Sequence, residues 1–355
     1  MPVKLYEIAQ ATGVSISTVS RVLNNDSSKP ASKATTERIL KAAYELGYYT
    51  RPPLQQLTEE KKYRNLICFL TSPSDTFNDY FFSQILLGIQ KEAGSLGYTI
   101  NHTLSTSTTS AEIICKHIRD SKPDGVILLG RVRKKIMQYL SNCTSHLIYA
   151  GLNKLNVNID QVICDSYSAI LNSVAYLAQC GFSKIGFIGT IPEENSEILN
   201  EHRFQAFLDG LKLNDIKLDM SFCKNISLGT EQAYNATLEL LREGKIPEAF
   251  CCANDNVAIG VISALTDYQY SIPKDVSVIG LDDIETAKFM NPRLTTFNMQ
   301  THELGEFAVK ILDDRINGRH STPVLVQLPS TLIIRDSCAT ANSKQSTTKL
   351  TQMHF

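Results

Sequence analysis

The chain has 355 residues, of which 43% are hydrophobic and 20% are charged, and its formal net charge is −1. This composition is typical of a globular protein in water, and the length predicts two or three domains. The absence of an apolar run of about 18 residues excludes a membrane-spanning helix, and the N-terminus lacks the apolar core of a signal peptide. We therefore expect a cytoplasmic protein.

The charge is unevenly distributed along the chain. Residues 1–51 contain seven basic and four acidic side chains, so this segment carries +3 and the rest carries −4. A basic segment on an acidic body is compatible with nucleic-acid binding by that segment alone. The nine cysteines form no CxxC pair and the seven histidines are scattered, so we expect reduced thiols, no metal site and no cofactor.

The first 24 residues predict two short helices joined by a turn. Gly13 stands where a left-handed backbone conformation ends a helix, and Ser15 stands at the N-cap of the next one. Apolar residues recur at intervals of three and four, and we expect them to point inward: Leu5, Ile8 and Ala9 in the first helix, and Val19, Val22 and Leu23 in the second. This arrangement is a helix-turn-helix, whose second helix fits the major groove of DNA.

The outer face of the second helix carries Ser17, Thr18, Ser20 and Arg21, with neither Glu nor Lys between residues 15 and 24. Short hydroxylic side chains and one arginine suit base edges and phosphates at close range. The alternative is a helical hairpin that only packs on its neighbours. The missing Glu and Lys argue against it, because exposed helices are usually covered with charged side chains.

Three segments, LYEIA at 5–9, GVS at 13–15 and TVSRVLN at 18–24, resemble the LacI/GalR family of bacterial transcription regulators, and a looser resemblance extends to about residue 336. Ile16 could read only a thymine methyl or the groove shape, whereas Arg21 could bind a guanine or only a phosphate. The resemblance implies a DNA-binding surface made of Ile16, Ser17 and Arg21 at bases, Thr18, Asn24 and Thr35 at phosphates, and Ser15 and Ser20 beside them.

A third helix is expected over about 32–46 and completes a DNA-binding domain of residues 1–49. Ser32 is its predicted N-cap and Gly47 its predicted end. An apolar stripe on this helix should close a three-helix core: Ile39, Ala42, Ala43 and Leu46.

Residues 50–64 form the predicted hinge connector. In the family such a segment folds into a short helix when two subunits bind DNA, and a leucine enters the minor groove. Leu57 matches that leucine. Pro52-Pro53-Leu54 departs from the usual start, but proline is tolerated in a first helical turn.

From 65 to 336, apolar strands alternate with amphipathic helices. We predict strands at 66–70, 125–129, 147–150, 162–164, 185–188, 249–253 and 276–280, and helices at 81–96, 166–179, 203–213, 230–243, 257–267 and 303–317. Such alternation predicts two lobes, each a doubly wound parallel sheet covered on both faces. The body resembles periplasmic sugar-binding proteins, which implies crossings between lobes near Val162, Thr295 and Pro323.

Ligands of open α/β sheets bind beyond the carboxyl ends of the strands. The resemblance implies that Arg203, Asn254 and Asp282 hold an effector there and that Phe81 and Phe82 flank it. Such polar groups suit vicinal hydroxyls, and aromatic faces pack on sugar rings or planar bases. Two alternatives stay open: both phenylalanines could belong to the core, and Arg203 could form a structural ion pair.

Several residues near these positions are assigned roles other than effector binding. Asp255 and Asp283 are predicted helix caps, and residues 131–135 a solvated helix face. Leu228 stands where several members carry an aromatic residue, and Gly151 where some carry an aspartate. Asn153 or Asn156 could replace that aspartate. The motifs NDYFF at 78–82 and LIIRD at 332–336 resemble regulators of galactose and β-galactoside operons.

Residues 337–355 are rich in Ser, Thr, Asn and Gln, and we expect a disordered tail. The tail has no leucine heptad, so a dimer is expected rather than a coiled-coil tetramer.

The expected function is therefore a dimeric repressor on a palindromic operator, released by a small sugar. The alternatives are a purine-type corepressor system and a sugar-binding protein without DNA function. We do not expect an enzyme, because the adjacent Asp282 and Asp283 would seldom face one substrate together and no phosphate-binding loop is present.

Overall fold

The computed structural model describes residues 4–23, 31–46, 48, 64–70, 80–105, 110–193 and 198–339. Contacts divide the chain into an N-terminal unit, Met1–Tyr63, and a body, Arg64–Phe355. Asn24 and residues 50–63 of the predicted connector lie outside the described residues. In the described ranges, no helix is both long and apolar enough to cross a bilayer.

The N-terminal unit contains three helices, α1 (Leu5–Thr12), α2 (Ile16–Leu23) and α3 (Lys33–Glu45). Gly13 ends α1 with φ +64°, a conformation that glycine adopts readily because it has no Cβ. The hydroxyl of Ser15 accepts a hydrogen bond from Thr18 N at 3.3 Å, and that of Ser32 accepts one from Thr35 N at 3.2 Å. Both predicted N-caps are therefore present.

A small apolar core joins the three helices. Its buried members are Ile8, Ala9, Val19, Ile39 and Ala43. The predicted inward position of Leu46 is wrong, since this side chain is 41% exposed, whereas Leu40 is only 6% exposed. Leu46 follows the last residue of α3, so the helical stripe does not reach it.

The body begins with one lobe and later returns to it. The first lobe contains β1 (Arg64–Leu70), α4 (Tyr80–Ser95), β2 (Tyr98–Ser105), α5 (Ala111–Ser121), β3 (Gly125–Leu129), α6 (Lys134–Cys143), β4 (Leu147–Gly151) and β5 (Asp160–Ile163). The second lobe contains α7 (Ser166–Gln179), β6 (Ile185–Gly189), α8 (Arg203–Leu213), β7 (Cys223–Asn225), α9 (Thr230–Arg242), β8 (Ala249–Cys252), α10 (Asp255–Asp267), β9 (Ser277–Asp282) and β10 (Thr295–Met299). The chain then supplies α11 (Thr301–Ile316) and β11 (Leu325–Gln327) to the first lobe and β12 (Ser330–Ile333) to the second.

Each lobe is built on a twisted sheet. The first sheet has the order β2-β1-β3-β4-β5-β11, and its neighbouring strands are parallel. The second has the order β7-β6-β8-β9-β10-β12, in which β12 runs antiparallel to β10. Every residue of β3, β4, β6 and β8 is buried, as expected for strands covered on both faces. The predicted two-lobed, doubly wound architecture is confirmed.

The crossings between lobes lie a few residues after the positions implied by the resemblance. They fall between Ile163 and Ser166, between Met299 and Thr301, and between Gln327 and Ser330. The strands β5, β10 and β11 extend past the predicted positions, and the backbone stays in its own sheet until each strand ends.

The folded body also extends beyond the predicted boundary at 336. Ser337 is fully buried, and its hydroxyl accepts from Thr295 N at 2.8 Å and donates to Val278 O at 2.6 Å. The body therefore includes residues up to Ala339, and the predicted tail begins too early.

Most of the described cysteines are separate buried thiols, as expected. Cys68, Cys164, Cys251 and Cys252 belong to this group. The expectation of reduced thiols is wrong for Cys115 and Cys143, which form a disulfide across α5 and α6, with their Cα atoms 6.0 Å apart. The two helices pack side by side, a proximity that sequence spacing does not show.

Candidate functional site

The outer face of α2 presents the predicted DNA-binding residues to solvent. Ile16 is 52% exposed, and Ser15 and Ser17 are exposed beside it, while Thr18 and Ser20 are partly exposed. An apolar side chain this exposed at the start of a small helix is available for an apolar contact such as a thymine methyl.

Arg21 folds back along its own helix. Its Nε donates to Ser17 O at 3.2 Å and its Nη2 donates to Thr18 Oγ1 at 3.4 Å. The guanidinium therefore lies over the hydroxylic face of α2. Thr35 lies in the first turn of α3, where its hydroxyl is 2.8 Å from Ser32 Oγ. Leu57 and Asn24 lie outside the described residues, so their predicted roles stay predictions.

A cavity of about 70 Å³ lies between the two lobes of the body. It brings together all five predicted effector residues, from the first turn of α4, the first residue of α8, the N-cap of α10 and the end of β9. The full lining consists of Phe81, Phe82, Gly130, Arg131, Gly151, Leu152, Asn200, Glu201, Arg203, Leu228, Asn254 and Asp282. This volume is below the roughly 300–1,000 Å³ of common ligand pockets.

Arg203 is 3% exposed, and its guanidinium is held from two sides. Its Nε donates to Glu201 Oε1 at 2.8 Å, its Nη2 donates to Glu201 Oε2, and its Nη1 donates to Ala253 O at 3.1 Å. A buried guanidinium needs such a partner because an unpaired buried charge is costly. Arg203 therefore forms the structural ion pair that was the alternative, and the same side chain also lines the cavity.

Arg131 and Glu201 are cavity residues that sequence reasoning missed. Arg131 Nη2 lies 3.2 Å from Glu201 Oε2 and donates to Thr190 Oγ1 at 2.9 Å. Burial alone would raise the pKa of the Glu201 carboxyl, but Arg203 and Arg131 hold it below its ordinary value. The interpretation of 131–135 as a solvated helix face is wrong for Arg131 and Val132, because both precede α6 and Val132 is fully buried.

Asn200 connects this network to the first lobe. Its Nδ2 donates to Gly130 O at 2.8 Å and to the Tyr149 hydroxyl at 2.6 Å, and its Oδ1 accepts from Val132 N at 3.0 Å. The segment before α8 therefore crosses to the first lobe and closes one side of the cavity. The only signal in the sequence was the proximity of Asn200 and Glu201 to Arg203.

Asn254 caps α10. Its Oδ1 accepts a hydrogen bond from Val257 N at 2.9 Å, so its side-chain amide lies at the N-terminus of the helix, beside the cavity. The prediction that Asp255 is a cap is wrong, because Asp255 is the first helical residue and points into the protein. Its carboxylate accepts from Ile284 N at 2.9 Å and from Thr296 Oγ1 at 2.6 Å.

Asp282 ends β9 at the carboxyl edge of the second sheet, opposite Asn298 of β10. Its φ is +120°, a conformation that residues with a Cβ rarely adopt and that accumulates at functional sites. Asp283 is not a helix cap as predicted. Its carboxylate pairs with Arg335 Nη2 at 2.5 Å and accepts from Asn298 Nδ2 at 3.0 Å.

The two phenylalanines differ in burial, although both line the cavity. Phe81 is 3% exposed and belongs to the body core, whereas Phe82 packs on that core from a partly buried position. Their rings meet edge to face with centroids 5.1 Å apart, and both line the cavity. They add apolar surface to the cavity that the charged groups also line.

The two departures from the family also lie at the cavity. Leu228 lines it with an aliphatic side chain. At Gly151, a Cβ would lie 2.0 Å from the Tyr149 hydroxyl, so an aspartate there would require the Tyr149 ring to move. Asn153 does not line this cavity. Its Nδ2 donates to Asn200 O at 3.0 Å and its Oδ1 accepts from Tyr167 N at 2.9 Å.

Comparisons with known proteins agree with this architecture. Residues 4–51 match the family model of bacterial regulatory proteins of the lacI family, and residues 174–338 match that of the periplasmic binding protein-like domain. The HTH-type transcriptional repressor MelR of Bacillus subtilis (strain 168) is 30% identical over 350 residues, which cover 95% of this chain and 97% of that protein. The HTH-type transcriptional regulator GalR of Streptococcus thermophilus is 28% identical over 340 residues, which cover 94% and 98%.

A solved structure extends the similarity to three dimensions. The lac repressor dimer bound to operator and the anti-inducer ONPF is 25% identical, with a TM-score of 0.70 over 96% of this chain and 100% of that one. These similar proteins are transcription regulators and not enzymes. The chain therefore belongs to the LacI family and is a DNA-binding transcriptional repressor, with a helix-turn-helix unit and a body that has the periplasmic-binding-protein-like fold.

Proposed function

We propose that the protein is a dimeric repressor that binds a palindromic operator and releases it when a small sugar binds between the lobes. The observation that carries this proposal is the convergence of Arg203, Asn254 and Asp282 on one interlobe cavity with an aromatic wall. Guanidinium, amide and carboxylate groups can each form paired hydrogen bonds with vicinal hydroxyls, and aromatic faces pack on sugar rings.

Galactose or a galactoside is the proposed effector. The motifs at 78–82 and 332–336, which resemble regulators of galactose and β-galactoside operons, support this choice. We place the protein in the cytoplasm, because it must reach its operator there.

The proposed switch is a shift between two arrangements of the lobes. A sugar that contacts both lobes favours the arrangement in which those contacts form, and it can shift the equilibrium only by its difference in affinity. Movement of one lobe against the other would separate the two connectors of the dimer. The paired segments, including Leu57, would then lose their position in the minor groove.

Operator binding by the purified protein tests this proposal. DNA from upstream of its own gene is titrated at one fixed salt concentration, because phosphate contacts make the affinity strongly salt-dependent. Galactose, lactose, other sugars and purines are then added. We expect release by a galactoside. The absence of DNA binding under all conditions would contradict the assignment of α2, and insensitivity to every sugar would contradict the assignment of the cavity.

The alternative is a corepressor system in which a purine strengthens operator binding. The phenylalanine pair is compatible with a planar base, but Leu228 supplies no ring to cover its other face. Tightening of the operator complex by a purine, with no effect of sugars, would establish this alternative.

A further inference from the structure

Two arginines from different parts of the body share one carboxylate at the cavity. Arg131 follows β3 of the first lobe, and Arg203 begins α8 of the second. Both guanidinium groups contact Glu201 Oε2, and Arg203 also contacts Oε1. The Glu201 side chain is only 2% exposed, and that of Arg203 is 4% exposed. Glu201 therefore fills the space on which the two guanidinium groups converge.

Arginine guanidinium groups bind phosphate and carboxylate well, because their N–H donors match the geometry of these anions. Here the position between the two guanidinium groups is occupied by a side chain of the protein itself. Among the ionisable cavity residues, Arg131 and Arg203 supply two positive charges, and Glu201 and Asp282 supply two negative ones. The cavity is thus electrically balanced before any ligand enters.

We propose that Glu201 is an internal anion that occupies the two arginines and makes the cavity selective for neutral ligands over phosphorylated or carboxylated ones. This inference rests on the proposed function, which places the effector in the cavity. An anionic ligand must either displace a buried carboxylate from two charged partners or enter beside it, and both alternatives are unfavourable. A neutral sugar can add hydrogen bonds to the guanidinium edges without breaking the pair.

The inference predicts a gain of anion binding when the internal carboxylate is removed. Isothermal titration of the full-length protein with galactose, galactose 6-phosphate and inorganic phosphate provides the measurement. The wild type is expected to bind galactose and not the two anions. Glu201→Gln is expected to gain at least tenfold in affinity for galactose 6-phosphate, and Arg131→Gln in the same chain is expected to abolish that gain. Glu243→Gln removes an exposed carboxylate from the same lobe and is expected to change nothing.

A second variant keeps the test decisive if Glu201→Gln is unstable. Glu201→Ala leaves space for a free anion, so inorganic phosphate is expected to raise its thermal unfolding midpoint by several degrees but not that of the wild type. The combination with Arg131→Gln is expected to lose this rescue.

The outcomes separate this inference from the proposed function. Anion binding gained by the Glu201 variants supports the inference even if the wild type ignores galactose, in which case the sugar assignment fails. Galactose binding by the wild type, with no gain of anion binding in either variant, overturns the inference and leaves the proposed function standing.

Discussion

Asp282 combines a position in the cavity with a strained backbone conformation. Its φ of +120° costs free energy for a residue with a Cβ, and the surrounding sheet edge maintains it. A residue kept under such strain at a cavity is a reasonable candidate for direct contact with a ligand. Its carboxylate would accept hydrogen bonds from sugar hydroxyls.

Asp282→Asn is expected to raise the galactose concentration for half-release of the operator at least tenfold. Asparagine has nearly the same shape but lacks the charge, and a hydrogen bond to a charged group contributes about 1.5–3 kcal/mol against about 1 kcal/mol for a neutral one. Operator release is measured by titration, with Glu243→Gln as the control. Release at the wild-type galactose concentration would contradict the assignment.

Asp255 lies directly behind the cavity residue Asn254 and is fully buried. Burial raises the pKa of its carboxyl from an ordinary 3.8 to about 7, with a further contribution from the negative charge of Asp283. The hydrogen bonds from Thr296 and Ile284 lower the pKa but do not offset burial. This group therefore couples the stability of the body to pH.

The sign of that coupling follows from the two pKa values. The folded protein keeps the proton up to about pH 7, whereas the unfolded chain loses it near pH 4. The stabilisation is full below about pH 4 and is lost as the pH rises to about 7. Asp255→Asn is expected to flatten the decrease in thermal unfolding midpoint between pH 5 and pH 7.5. Equal slopes in the two proteins would show that Asp255 does not titrate in this range.

At the scale of the elements, the backbones of α4 and α11 lie close together because each helix has a glycine at the contact. A Cβ on Gly88 would lie 2.0 Å from His302 O, and one on Gly305 would lie 2.2 Å from Ile85 O. Both obstacles are backbone atoms, which cannot move aside independently. An ion pair between Lys91 and Glu306, at 2.6 Å, lies along the same contact.

Gly88→Ala is expected to lower the thermal unfolding midpoint of the body by about 2 °C or more, because overpacking costs about 1–3 kcal/mol. Gly94→Ala is the matched control in the same helix, where a Cβ meets nothing within 4 Å. This second change is expected to raise the midpoint slightly, since alanine favours a helix by roughly 0.5–1 kcal/mol. Similar effects of the two substitutions would contradict the close packing of α4 and α11.

On the scale of the whole molecule, the two lobes are joined by side chains as well as by three crossings of the chain. The Asn200 side chain, which is 6% exposed, forms three hydrogen bonds with the first lobe, to Gly130, Val132 and Tyr149. It lies beside the cavity and adjoins Glu201. Lobe arrangement and ligand affinity should therefore depend on the same residue.

Asn200→Ala is expected to lower both the thermal unfolding midpoint and the affinity for galactose, the latter about tenfold, as measured by isothermal titration. Asn214→Ala is the control, because Asn214 Nδ2 bonds only Gly210 O, within the second lobe, among its described hydrogen bonds. It should lower the midpoint without changing galactose affinity. Unchanged galactose affinity in Asn200→Ala would show that this contact does not couple the lobes to the cavity.

The sequence by itself determined the features that arise from local periodicity and backbone chemistry. Gly13, Ser15 and the apolar spacing of α1 and α2 predicted the helix-turn-helix, and continuous apolar strands predicted two covered sheets. Arg203, Asn254 and Asp282 could be placed together because the carboxyl ends of parallel strands converge and the family resemblance marked these positions. The polar strand β2, whose sequence is TINHTLS after Tyr98, has no such pattern and was missed.

Only the tertiary structure decided which distant groups meet. Arg131 and Glu201 are 70 positions apart, and nothing in their spacing indicates that Glu201 neutralises two arginines. The pairing of Cys115 with Cys143 likewise depends on packing between elements, here between α5 and α6. Local sequence determines how each element folds, whereas a contact between two elements depends on the positions of both. The charge balance of the cavity therefore follows only from the three-dimensional arrangement of the two lobes.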